Sequence, residues 1–215
     1  MKSVLTGLAL LLHVHALAQR SMYEEPHHKV VFTNDIVKIT DLQIAPHDTT
    51  LWHTHDKASA VIFLSQSKLA IQNKGGAPVI TDVAPGATVY RNYGEKPVEH
   101  KVWCADNSTF RCLVVELLKP GTTECASKVS AGEKLWTQKS LSAYEITIDG
   151  KKPLRFPKQD CPFLLVHVSG EAQLTKGKIK QTLKAGDFHF IARETNVDVS
   201  STQSAKLILL QLSID

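Results

Sequence analysis

Two histidines separated by one residue, His53 and His55 in Trp52-His53-Thr54-His55-Asp56, carry the strongest chemical signal in the chain. Alternate side chains of a β-strand point to the same face, so a strand here aims two imidazoles at one spot. His100, in Val98-Glu99-His100-Lys101-Val102, is the expected third partner from a distant strand. Three imidazoles on one face form a ligand set for a divalent metal, with coordination positions left open for substrate. The expectation is one ion per chain, held by His53, His55 and His100. Without a carboxylate in the set the metal charge is uncompensated, and ligand type leaves Fe(II), Zn(II), Ni(II) and Cu(II) all open.

Other candidates carry less. His27 and His28 are adjacent, and adjacent strand residues face opposite ways, which argues against a joint metal site. His47 falls in the turn-like Pro46-His47-Asp48. Lys57 shares the parity of His53 and His55 if their strand persists that far, and otherwise reads as a solvated loop lysine. Glu99, next to His100, points away from the metal on a regular strand. Tyr90 and Tyr93 offer phenols whose direction is not fixed. His167 and His189 are lone histidines on separate strand-like runs, and neither is expected to bind metal. No G-x-S-x-G, phosphate-binding glycine loop or H-E-x-x-H is present.

The elements that must position these residues are strands. Val30–Phe32, Val37–Ile39, Leu42–Ile44, Ala60–Leu64, Leu69–Gln72, Val79–Val83, His100–Trp103 and Cys112–Leu118 are short apolar or alternating runs punctuated by turns. Such spacing predicts an all-β sandwich or barrel. Residues 119–142 break the rhythm and read as a connector with a short helix near Glu133 to Gln138. Strand runs resume with Phe163–Val168, Gly170–Leu174, Thr182–Phe188 and Lys206–Leu212. The halves echo each other: Ile62-Phe63-Leu64-Ser65 with Val166-His167-Val168-Ser169, and Val83-Ala84-Pro85-Gly86 with Leu183-Lys184-Ala185-Gly186. A repeated all-β unit follows, with barrels at residues 28–118 and 143–215.

The first residues read as a signal peptide: Lys2, an apolar run from Val4 to Leu12, and Ala16-Leu17-Ala18 as the cleavage site. Residues 1–18 would then be removed, His13 and His15 with them, and the mature protein exported to a periplasm or the exterior. No later segment is long and apolar enough to span a membrane. The net charge of +4 comes from Lys and Arg spread along the chain, a solvated surface and not a nucleic-acid footprint. Export permits disulfides. At least one is expected among Cys104, Cys112, Cys125 and Cys161, with Cys104–Cys112 the leading pair because they flank a hairpin-like connection.

At this point the chain resembles the two-domain members of the cupin superfamily. His53-Thr54-His55 matches the histidine pair of the first cupin motif, and Pro85-Gly86 with His100 fit the layout of the second. The glutamate of the first motif falls on Ser59 or Ala60, so that ligand is absent, and Cys104 replaces the usual asparagine of the second. In the second half, Pro157 and Gln159 stand where His53 and His55 would. The resemblance implies two tandem double-stranded β-helix (jelly-roll) barrels. The first would hold the metal, and the second would be structural or form a homodimer interface. Three-histidine relatives include dioxygenases, which makes a metal-dependent enzyme acting on a small molecule one expectation. The other is a non-catalytic module binding a small molecule or sugar with a decayed metal site.

Overall fold

The computed structural model describes residues 20–122, 125–126, 129, 132–138, 140–150 and 152–214; the expected signal peptide lies outside them. The described residues form eighteen strands and one 3-10 turn, Met22–Glu24. In the first half the strands are β1 (His28–Thr33), β2 (Val37–Ile44), β3 (His53–His55), β4 (Ala58–Phe63), β5 (Ser67–Asn73), β6 (Val79–Val83), β7 (Thr88–Asn92), β8 (Val98–Cys104) and β9 (Phe110–Leu117). They make a five-stranded sheet in the order β1-β2-β9-β4-β7 and a four-stranded sheet in the order β3-β8-β5-β6.

The second half repeats this with β10 (Glu133–Gln138), β11 (Leu141–Ile148), β12 (Leu154–Phe156), β13 (Phe163–Ser169), β14 (Ala172–Lys176), β15 (Ile179–Leu183), β16 (Phe188–Ile191), β17 (Val197–Ser200) and β18 (Ala205–Leu212). Its sheets run β10-β11-β18-β13-β16 and β12-β17-β14-β15, the same order position for position. All ladders are antiparallel. The tandem jelly-roll architecture is therefore present in full.

Parity divides the apolar residues between three cores. On β9, Leu113, Val115 and Leu117 face the other half, while Phe110, Cys112 and Val114 face into their own barrel. On β13, Leu164, Val166 and Val168 face across, while Phe163 and Leu165 face inward. A sheet covered on both faces needs apolar residues at every position, which is why these runs are continuous and do not alternate. At roughly 1.5–3 kcal/mol for each fully buried Val, Leu or Ile, the layer between the two five-stranded sheets joins the halves into one body.

The junction has a near two-fold character. Arg111 makes a paired hydrogen bond to Asp41 in the first half, and Lys206 pairs with Glu145 at 3.0 Å in the second. Arg111 lies over Gly186 of the second half, and Lys206 over Gly86 of the first. Both glycines have positive φ, 88° and 90°, and any side chain there would also run into the opposing basic residue.

Two sequence expectations are corrected. Glu133–Gln138 is strand β10, not a helix, and β11 begins at Leu141, so the second barrel starts before residue 143. Apolar positions at Leu135 and Trp136 serve an edge strand whose Trp136 reaches the other half, donating from Nε1 to Thr88 Oγ1. Cys104 and Cys112 are free and buried. They never meet across a hairpin, because β8 and β9 belong to different sheets: Cys104 lies opposite Leu69, and Cys112 opposite Leu42 and Phe63. The disulfide joins Cys125 to Cys161, 36 residues apart.

Candidate metal centre

β3 is only three residues long, and it pairs with β8 so that His53 faces His100 directly and His55 faces Val98. His53, His55 and His100 are 0%, 4% and 8% exposed. Nε2 of His53 and Nε2 of His100 are 3.1 Å apart. The His55 ring centroid lies 5.0 Å from that of His53 and 4.8 Å from that of His100. The three imidazoles expected from strand parity and motif layout are thus neighbours in the barrel interior, but the group whose nitrogens all meet closely enough to share an ion is His28, His53 and His55, and His100 is not in it.

A fourth joins them. His28, at the start of β1, has its ring centroid 4.5 Å from that of His53 and 5.9 Å from that of His55. One ring nitrogen from each of His28, His53 and His55 lies within 4.8 Å of the other two. Parity correctly separated His27 from His28, since His27 points outward. It follows from the same rule that one of two adjacent strand histidines must face in, and that signal was available in the sequence.

Glu25 explains how His28 is held. Its side chain is fully buried and accepts four hydrogen bonds: from His28 Nδ1 (2.7 Å), His27 Nδ1 (2.8 Å), the His27 backbone N–H (2.9 Å) and the Leu51 backbone N–H (3.2 Å). Burial alone would raise its pKa, but the bonds from His28, His27 and Leu51 outweigh burial and hold it at about 2. His27 also reaches Asp48 at 3.0 Å. Burial lowers its pKa, yet the hydrogen bonds and charges of Glu25 and Asp48 prevail and raise it.

The donor set fits a divalent ion. Nδ1 of His28 is committed to Glu25 and Nδ1 of His53 donates to the Leu51 carbonyl at 2.8 Å, leaving Nε2 of each free for metal. His55 Nδ1 is buried with no hydrogen-bond partner. Burial, reinforced by the neighbouring imidazoles, pushes the pKa of His53 down to about 4, of His100 to about 3, and of His55 well below the ordinary value, so all three are neutral donors. Two nitrogens each about 2.1 Å from one ion are roughly 3.0 Å apart at a right angle and about 3.4 Å apart at a tetrahedral angle. The separation of 3.1 Å between His53 and His100 lies in that interval.

Below the histidines is a cavity of ≈ 70 Å³ lined by Val61, Phe63, Leu69, Ile71 and Val89, with Arg91 and Tyr93 at the level of the imidazoles. Tyr93 packs on His55 at 5.2 Å, and burial raises its pKa. Tyr90 instead packs on Trp136 at the junction of the halves. Glu99 turns outward to Lys74, Lys57 pairs with Asp56 beyond the end of β3, and His47 bonds Asn107 on the surface. Ser59, one of the two positions expected in place of the motif glutamate, faces inward with its buried hydroxyl unpartnered; Ala60 faces the other half. In the second barrel no comparable cluster of metal-binding side chains occurs among the described residues. His167 is 1% exposed and its ring nitrogens meet no partner, and His189 Nε2 is likewise unpartnered.

No family model matches the sequence, and no curated protein does. Solved structures do match. AerE from Microcystis aeruginosa superposes with a TM-score of 0.61 at 13% identity, covering 88% of this chain and 98% of that one. A cupin 2 conserved barrel domain protein from Leptotrichia buccalis gives 0.56 at 11% identity, covering 86% and 88%. The fold is that of the cupins. Oxalate decarboxylase from Bacillus subtilis, studied for its Mn(II) centres, gives 0.56 at 12% identity over 85% of this chain and 70% of that one. At these identities the likeness speaks for the fold and not for the reaction. No helix among the described residues is long and apolar enough to cross a membrane.

Proposed function

We propose that this protein is an exported two-barrel cupin whose first barrel binds one divalent metal ion through His53, His55 and His100, with His28 as a fourth imidazole donor. The observation that carries the reading is the convergence of buried imidazoles, one of them backed by a buried carboxylate. A carboxylate behind a ligating histidine fixes its tautomer and raises its basicity. Four imidazoles in a five- or six-coordinate arrangement leave one or two positions for a small molecule. The bound ion would supply Lewis-acid polarisation there, and dioxygenase-like turnover is the catalytic form of the reading. An all-nitrogen set suits Fe, Ni, Cu or Zn better than Mn or Mg, which favour oxygen donors. The second barrel is a packed, structural partner.

The test is elemental analysis of untagged protein with equilibrium titration. Wild type should bind about one ion per chain. His53→Ala/His55→Ala should bind none while remaining folded, and His167→Ala/His189→Ala should bind as wild type does. Full occupancy in the His53/His55 variant would overturn the assignment. Export rests on the first eighteen residues and on the Cys125–Cys161 disulfide, which suits an oxidising compartment. Mass spectrometry of protein from its native host should show a chain beginning at Gln19; a mature chain retaining Met1 would overturn the export reading.

A further inference from the structure

We infer that the open side of the first-barrel metal centre takes a small organic monoanion with a short apolar body, its charged head between the metal and Arg91. This rests on the metal reading above and names the ligand class of that site.

The first ground is charge. Where the motif glutamate would stand, the chain has Ser59, and the additional donor is the imidazole of His28. A divalent ion held only by neutral imidazoles keeps its full charge. No carboxylate lines the cavity among the described residues, and the one cation that does is Arg91. Glu25 stands behind His28, outside the cavity lining, with both its oxygens engaged by His27, His28 and Leu51. A ligand entering the cavity therefore meets a metal cation and a guanidinium in the lining; the buried carboxylate of Glu116, across the ladder from Ser59, lies outside that lining and accepts from the Tyr23 hydroxyl.

The second ground is the tiering of the interior. Ser59 and Arg91 are partners across the β4–β7 ladder, level with Tyr93 and the histidines. Arg91, an exposed residue, lines the same cavity as Tyr93 and His100, which puts its guanidinium at the solvent side of this tier. One step deeper the partners are Val61 and Val89, with Phe63 and Ile71 beyond. A polar tier at the metal and an apolar tier beneath it match a ligand with one charged end. A second charge on the ligand would fall in the apolar tier, where no donor awaits it. The volume of ≈ 70 Å³ is roughly two liquid-water volumes, room for a short branched aliphatic body.

The third ground is the internal repeat. The ladder β13–β16 reproduces β4–β7: Phe163 with Ile191 stands where Ser59 with Arg91 stands, and Leu165 with His189 where Val61 with Val89 stands. The barrel without the histidine cluster has an apolar pair at the place of Ser59 and Arg91, packed into its core. The fold does not need polar groups there, so those of the first barrel answer to what it binds.

The experiment uses full-length mature protein loaded with Co(II), with cobalt content measured first and the visible spectrum followed as ligand is added. Isobutyrate is the probe, isobutyramide its neutral isostere and oxalate the dianion, with cobalt retention checked after each titration. Isobutyrate should shift the spectrum saturably, isobutyramide should bind at least about 10-fold more weakly, and oxalate should bind more weakly than isobutyrate. Arg91→Ala should retain cobalt and weaken isobutyrate by about 10-fold or more, and Arg91→Lys should recover part of the loss. Equal binding of the amide, tighter binding of oxalate, or an Arg91→Ala variant equal to wild type would each overturn the inference. Absence of bound cobalt would defeat the metal reading itself. Bound cobalt with no response to isobutyrate defeats only the anion.

Discussion

Glu25→Gln is the most revealing single change, because it alters charge and acceptor number with almost no change in volume. Both carboxylate oxygens of Glu25 are in use: Oε2 accepts from His28 Nδ1 and the His27 N–H, and Oε1 from His27 Nδ1 and the Leu51 N–H. A glutamine amide has one oxygen and one NH₂. Whichever way it flips, the NH₂ faces two donors, so two of the four bonds are lost in a site with no solvent access. At about 1.5–3 kcal/mol for each hydrogen bond to a charged group, the loss is about 3–6 kcal/mol. Relaxation of the turn at Glu25 to His28 draws the outcome toward the lower figure. The share felt by the metal is the mispositioning of His28, about 10–100-fold in affinity. Urea unfolding of the metal-free protein measures the first quantity and competitive Zn(II) titration the second. Glu24→Gln, at an exposed neighbour that bonds only its own turn, should change both by little. Wild-type stability together with wild-type Zn(II) affinity in Glu25→Gln would refute the argument that this carboxylate holds the site.

Three further outcomes are expected. The imidazoles of His53 and His100 have folded-state pKa values of about 4 and about 3 against an ordinary value near 6.5. The unfolded chain therefore binds protons that the folded chain cannot; metal-free stability should be full above about pH 6.5 and fall as pH drops toward 4, read by urea titration at stepped pH. A flat profile across that window would contradict the neutral, buried assignment. His167→Phe places in the second barrel the residue that Phe63 provides at the matching ladder end, removing a buried ring without hydrogen-bond partners; the urea midpoint should rise by about 1 kcal/mol equivalent, and a fall would count against the match. Cys161→Ser opens a 36-residue loop and should cost about 3–4 kcal/mol on the chain-entropy account, with an unchanged thermal midpoint as the contrary result.

Legibility in the sequence followed the physics of each feature. Strand existence was readable because β4, β9, β13 and β18 are buried on both faces, and such strands declare themselves as unbroken apolar runs. The pairing of His53 with His55 needed only the two-residue period. His28 needed a tertiary fact, that β1 begins beside β3, together with attention to one residue of an adjacent pair. Glu25 was invisible because its role depends on a turn folding four donors around one carboxylate. The disulfide was misassigned because nearness in sequence suggested a hairpin where the chain crosses between sheets at residues 105–109. The expected helix at Glu133 to Gln138 failed because an edge strand with one buried neighbour carries a weak period.

The repeat explains why the two halves could look alike at some positions and unlike at the site. The five-stranded sheets pack on each other, so each half must present the same surface to its counterpart. Arg111 with Asp41 and Lys206 with Glu145 are the same device used twice, each basic stem lying over the other half's turn glycine. Those glycines are the echo that the sequence shows at Gly86 and Gly186. No such constraint reaches the barrel interiors, where a strand residue answers only to its own half. There the first barrel has Val61, Arg91 and the imidazoles of His28, His55 and His100 around a cavity, while the second has Phe163, Leu165 and Ile191 closed into a core. A cavity removes apolar burial that the barrel would otherwise gain. The filled second barrel and the large shared interface supply packing that makes an open, polar-lipped first barrel tolerable.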